Sequence, residues 1–145
     1  MADYAGAVAA IKAKFVTDWH SSMLAQSTLA RFIDNGGFAR HIRKVSRLYR
    51  DRRSLLIGIL QRDFLDQLEM VPSVAGLHIA AVSRSASVKT IRAIARHVGE
   101  RGVRLQELSY FCVDVPPRAG LLFGYGAIPI NGIEEGLRRL GQCFV

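Results

Sequence analysis

From Gly37 to Gln61 the chain carries no proline, and its apolar residues return every three, four or seven positions. Phe38, Ile42, Val45, Tyr49, Leu56 and Ile59 make one stripe, with Leu48 and Leu55 beside it. Such a period fits one long amphipathic helix and excludes a strand. At 1.5 Å per residue the helix would run about 37 Å. The DNGG turn signal at 34–37 separates it from what precedes.

The same stretch is crowded with positive charge. GFARHIRKVSRLYRDRRSLL holds seven of the twenty Lys and Arg residues. Arg40, Arg43, Lys44, Arg47 and Arg50 fall opposite the apolar stripe, which fits a solvated helix face. Contact with a nucleic acid, a partner surface or a phosphate are the alternatives. No aromatic residues interleave the arginines as a single-strand stacking platform requires, and no zinc-finger spacing or helix-turn-helix pair accompanies them.

Two shorter helices are expected ahead of the long one. Residues 3–16 are Ala-rich, with Val8, Ile11 and Phe15 at helical spacing, and residues 22–34 carry Met23, Leu24, Leu29, Phe32 and Ile33 as an apolar side. The second half changes character. Residues 67–83 alternate and are β-rich around GLHIAAV, with Pro72, Ser73 and Gly76 as turn residues. An amphipathic helix is expected over 87–102, a strand over 103–111, a turn-rich loop over 113–120, a buried strand over 121–128 and a last helix over 129–144. Asn131 is the expected cap of that helix, and the Glu134–Glu135 pair would complement its positive end. Three helices followed by strand, helix, two strands and helix describe an α+β domain, a small sheet with helices packed on it.

Composition narrows the function classes. The chain has 145 residues, one domain's worth, and 50% of them are apolar. The net charge of +8 favours contact with polyanions without specifying a fold. Cys112 and Cys143 lie far apart, so buried thiols in a reducing compartment are expected rather than a disulfide framework. No signal-peptide pattern and no membrane-spanning run is present, so a cytoplasmic location is expected.

Chemistry-bearing motifs are sparse. His20, His41, His78 and His97 share no ligand spacing, so no metal site is expected, and His78 between Leu77 and Ile79 reads as a hydrogen-bonded structural histidine. There is no GxSxG, no P-loop and no GxGxxG; Gly124 and Gly126 form a glycine pair inside a strand. Arg118 stands out. It follows Pro116–Pro117 directly before a buried strand, where a guanidinium can grip a carboxylate with two parallel hydrogen bonds; an arginine in solvent is the alternative.

The blocks GFARHIRKVSRLYRDRR, AGLHIAA and PPRAGLLFGYGAI, in this order and followed by IEEGLRRL, closely resemble the C-terminal part of MocR-type transcription regulators. The resemblance runs from about Ala7 to Phe144. These GntR-family proteins fuse a winged helix-turn-helix to a domain like a fold-type I, pyridoxal-phosphate-dependent aminotransferase. The resemblance implies a small aminotransferase-like C-terminal subdomain at 37–145, with 1–36 as connecting helices from a large domain. It puts the cofactor lysine before this chain. Lys12 and Lys14 match the helix that follows it, so no pyridoxal phosphate is expected on the chain alone, although the parent architecture uses it. DNA reading falls to the winged domain. Arg118 is the nearest match to the arginine that binds a substrate carboxylate in aminotransferases, although Gly120, Leu121 and Leu122 stand where many of them place it. The chain is therefore expected to be the effector-sensing subdomain of such a regulator, inactive alone; the corresponding piece of a true aminotransferase is the alternative. Surfaces orphaned from a large domain, around Trp19 above all, lead to an expected homo-oligomer.

Overall fold

The computed structural model describes residues 4–17, 22–74, 76–113 and 116–144. Trp19 and His20 lie outside the described residues. The chain divides into two compact units, Met1–Lys44 and Val45–Val145, and the boundary falls inside the long helix.

The first unit holds α1 (Tyr4–Thr17), α2 (Met23–Asp34) and the first turns of α3 (Gly37–Asp63). The Ser22 hydroxyl caps α2 by accepting from Ala25 N at 3.3 Å. Gly36, with φ of 73°, makes the bend into α3, and Asn35 Oδ1 accepts from Gly37 N at 2.9 Å. The ring of Phe32 lies against Gly37, where a Cβ would come within 2.5 Å of it. No residue of α2 is buried, and Ile11, Met23 and Leu24 stay at least two-thirds exposed. The apolar sides that the spacing forecasts are therefore present but uncovered within this unit.

The second unit has a core. From Tyr49 onward the α3 stripe turns inward: Leu56, Ile59 and Leu60 are buried, while Phe38, Ile42 and Leu48 remain exposed. Four strands follow, β1 (Leu68–Met70), β2 (His78–Ser83), β3 (Gln106–Glu107) and β4 (Gly120–Gly124), in the order β1-β2-β4-β3 with every neighbouring pair antiparallel. Helix α4 (Val88–Glu100) joins β2 to β3, and α5 (Ile130–Gly141) follows β4. The register pairs Ala81 with Leu121 and Ile79 with Phe123, which puts these four on one sheet face. Ile91, Ile94 and Val98 of α4 and Ile133, Leu137 and Leu140 of α5 join them in the core. This is the α+β arrangement forecast by the element pattern.

Several boundaries differ from expectation. The 67–83 segment is a hairpin rather than one strand, because Pro72 and Gly76 (φ 93°) break it. The strand expected over 103–111 shrinks to Gln106–Glu107 and gives way to a 3₁₀ turn at Leu108–Phe111. The strand over 121–128 ends at Gly124. Pro129, not Asn131, occupies the N-cap of α5, with no side-chain capping bond; Glu135 lies beyond the first turn and pairs with Arg138 and Arg139 instead. Both cysteines are free and half-buried rather than buried.

Candidate functional site

The C-terminal half of α3 contains two kinds of arginine. Arg52 and Arg53 flank the inward stripe and are half-buried. Arg52 Nη1 donates to the Gly126 carbonyl at 2.6 Å, and Arg53 Nη2 donates to the Ser73 carbonyl. The Tyr125 hydroxyl donates to the Gly76 carbonyl at 2.6 Å, while Tyr125 N donates to the Leu77 carbonyl at 3.0 Å. These bonds tie the β1–β2 loop to the β4–α5 loop and both to α3. Carbonyls that would otherwise be left at loop ends gain charged donors. Sequence reasoning placed five other cations opposite the apolar stripe and gave Arg52 and Arg53 no role. Helical phase could have assigned them, because at 100° per residue both fall in or beside the apolar stripe.

At the other end of β4 stands Arg118. Ser83 N donates to the Ala119 carbonyl at 2.8 Å, so the β2–β4 ladder reaches the residue next to Arg118. Arg118 itself is exposed. Two residues on, Gly120 has no room for a side chain: a Cβ there would collide with the Ala81 carbonyl and come within 2.5 Å of Leu108 Cδ1. The strand start behind Arg118 is therefore held rigidly by backbone contact, while its guanidinium stands clear in water. Such a group can take a carboxylate with two parallel bonds, and it contributes little while solvent surrounds it.

The sheet face opposite the core carries His78, Ala80, Val82, Leu122 and Gly124 by register, all half-buried or exposed. His78 is exposed and lies over Gly124, where a Cβ would approach the imidazole Cδ2 at 3.3 Å; it is a surface histidine instead of the hydrogen-bonded structural one expected. Two clefts open elsewhere. One of about 380 Å³ lies between Gln67, Ser83, Thr90, His97 and Phe144, and another of about 220 Å³ is lined mainly by apolar residues such as Val103, Phe123 and Leu137. Arg118 lines neither.

Among the described residues Glu107 is the buried charged one, and Arg92 Nε at 3.1 Å and Ser109 Oγ at 3.2 Å donate to its Oε2. That set stabilises the β3 end. Among the described residues no group of three His, Cys, Asp or Glu side chains is placed to hold a metal ion. No described helix is long and apolar enough to cross a membrane. The four lysines, Lys12, Lys14, Lys44 and Lys89, all sit on exposed helix faces, and none lines a cleft.

No family model matches the chain. Among curated proteins it is 30% identical over 129 residues to the probable rhizopine catabolism regulatory protein MocR of Rhizobium meliloti, covering 89% of this chain and 26% of that protein. It is 28% identical over 118 residues to the uncharacterized HTH-type transcriptional regulator YhdI of Bacillus subtilis, covering 80% of this chain and 24% of that one. The chain thus spans about a quarter of the length of the curated relatives it matches. Among solved structures, the α-aminoadipate aminotransferase LysN of Thermus thermophilus superposes over 92% of this chain and 33% of its own, with a TM-score of 0.77 at 23% identity. A multiple-substrate aminotransferase of Thermococcus profundus covers 90% of this chain and 32% of its own, with a TM-score of 0.76 at 20% identity.

Proposed function

Since this chain is homologous to the C-terminal, aminotransferase-like part of MocR-type transcription regulators, we propose that it is the effector-sensing subdomain of a pyridoxal-phosphate-dependent regulator of the GntR family. In this reading Arg118 binds the carboxylate of an amino-acid-like effector. The cofactor lysine, the rest of the cofactor site and the winged helix-turn-helix belong to other parts of the larger protein. The chain by itself carries out no catalysis.

The observation that carries the reading is the regulator homology across 89% of the chain, joined to an aminotransferase fold. Arg118 supports it chemically. It is a solvent-facing guanidinium on a rigid strand start, ready to meet a carboxylate once a covering surface excludes water. The C-terminal piece of a true aminotransferase is the second reading, favoured by the aminotransferase superpositions; identities of 23% and 20% make that a likeness of fold.

A chimera tests the proposal. The chain replaces the homologous segment of the Rhizobium meliloti relative, and operator occupancy is footprinted with cofactor and a panel of amino acids and their decarboxylated amines. Occupancy should respond to at least one amino acid, not to the matching amine, and Arg118→Gln should abolish the response. Steady transamination without any change in occupancy would favour the enzyme reading, and a response untouched by Arg118→Gln would remove that residue from the site.

A further inference from the structure

The larger of the two clefts belongs wholly to the second unit. Gln67 enters it from the turn between α3 and β1, Ser83 and Ser85 from the end of β2 and the turn after it, and Phe144 from the residues behind α5. Thr90, Ala93, Ile94 and His97 supply the remaining wall. They fall at i, i+3, i+4 and i+7, so one face of α4 looks into the cleft. Its volume of about 380 Å³ lies within the range of about 300–1,000 Å³ typical of small-molecule sites.

Gln67 is the anomaly in this lining. Its main chain is fixed at both ends: N donates to the Phe64 carbonyl at 3.1 Å, and its carbonyl accepts from Arg84 N at 3.0 Å. Its side-chain Oε1 is buried and has no hydrogen-bond partner. Buried amides are almost always paired, and an unpaired one lowers stability. Turned over, the amide would bury its NH2 with the same need. A partner that satisfies it either way carries a donor and an acceptor side by side.

The rest of the lining limits what that partner is. Among the described residues no Lys, Arg, Asp or Glu lines the cleft, so a charged ligand would lose hydration without gaining a counter-charge. Ser83 Oγ accepts from Ala86 N at 2.9 Å and keeps its own hydrogen to give, and the Ser85 hydroxyl is exposed. Ala93 and Ile94 make an apolar floor. The Phe144 ring makes an aromatic wall, fixed edge-on by buried Phe64 with the centroids 5.8 Å apart and the planes at 72°. A flat, neutral ring with one polar edge suits such a surface. A sugar, polar on every side, would press hydroxyls against Ile94 and Phe144 without partners. The lactam edge of a heterocycle, N–H beside C=O, is a donor–acceptor pair that a glutamine amide meets with two parallel hydrogen bonds.

We propose that the cleft between Gln67, Thr90 and Phe144 binds a planar, neutral heterocycle with a lactam edge, the size of a pyrimidine base. The site is separate from Arg118, which lines neither cleft, and the proposal does not rest on the effector reading.

The test is NMR of the 145-residue chain labelled with nitrogen-15, following the glutamine side-chain amides during titration with uracil. Gln67→Met deletes the unpaired amide at nearly constant volume and identifies its signal. Uracil should move the Gln67 amide saturably, with a Kd on the order of 1 mM for a ligand of so few atoms. Dimethyluracil, methylated on both ring nitrogens, keeps the ring and loses both N–H donors, and should bind about tenfold more weakly. Ala93→Leu fills the cleft from an exposed helix position with little loss of helix propensity. Uracil affinity, read from the Thr90 and His97 backbone amides, should fall about tenfold or more in Ala93→Leu and in Gln67→Met. Arg118→Gln should bind uracil as wild type does, and glucose and benzoate should leave the Gln67 amide in place. Absence of a uracil shift, equal binding of dimethyluracil, glucose or benzoate, or wild-type affinity in Ala93→Leu and Gln67→Met would overturn the proposal. So would an equal loss in Arg118→Gln. The carboxylate response of Arg118 is read separately, so failure here leaves the effector reading standing.

Discussion

Arg52 and Gly126 are 74 residues apart in sequence, yet the guanidinium Nη1 meets the carbonyl oxygen at 2.6 Å. The bond fastens the loop after β4 to the C-terminal half of α3. It is made by one of the arginines that composition alone would count as surface charge. Arg52 Nε is buried without a hydrogen-bond partner, so the side chain gives up hydration to make this contact.

Replacing Arg52 with Met should therefore loosen this loop more than it costs in helix propensity. One charge-assisted hydrogen bond is worth about 1.5–3 kcal/mol, and partial exposure places the expected loss at the lower end. Amide exchange should accelerate around Tyr125–Ala127. Arg50→Met, on the solvent side of the same helix, should leave both stability and exchange near wild type.

Two glycines should respond in opposite directions to alanine. Gly58 lies within α3, and a Cβ there meets nothing within 4 Å, so Gly58→Ala should raise stability by about 0.5–1 kcal/mol. Gly120→Ala would drive a methyl group into the Ala81 carbonyl and Leu108, and should cost about 1–3 kcal/mol or more. Urea denaturation of the two variants measures both.

How far the sequence could be read follows from the same physics. Helices α4 and α5 were legible because each buries a full apolar side, as Ile91, Ile94 and Val98 do in α4. The α3 period also held, but it could not say which part of the stripe finds a partner: Leu56 is buried and Phe38 is not. Burial depends on what the rest of the chain supplies, and periodicity is blind to that. Strand β3 is shorter than expected: Val103 and Leu105 alternate with Arg104 and Gln106, but the alternation ends there and Leu108–Phe111 closes into a 3₁₀ turn. At the candidate site, the position of Arg118 before a buried strand was legible from PPRAG, and its solvent exposure was one of the two readings that the sequence left open.

Burial should also grade the cost of core truncation. Leu140 is fully buried in the second unit, and Leu140→Ala should cost about 2–5 kcal/mol. Leu24 in α2 is 78% exposed, and Leu24→Ala should stay within about 0.5 kcal/mol. Comparable losses for the two would mean that α2 is covered in solution.

Acid should reveal the α5 pairings. Hydrogen bonds from Arg138 and then Arg139 hold the Glu135 carboxyl at about 2, below its usual 4.5. A folded-state value below the unfolded one means that the stabilisation is complete above about pH 4.5 and fades as pH falls toward 2. The gap in melting temperature between wild type and Glu135→Gln should thus be constant above pH 5 and close on acidification. The pair is solvent-facing, so the gap should also shrink with salt.

The central claim is that Arg118 is a carboxylate receptor, and nitrogen-15 NMR of its guanidinium tests it most directly. Amino acids are titrated into the chimera, labelled at arginine, beside their decarboxylated amines, with Arg118→Gln identifying the signal. The account predicts that the Arg118 Nε–H resonance shifts saturably with the carboxylate-bearing ligand once the covering surface of the larger protein excludes water, with a Kd below about 10 mM. The amine should leave it in place. A resonance that ignores the amino acids, or one that moves equally with the amines, would contradict the assignment of Arg118.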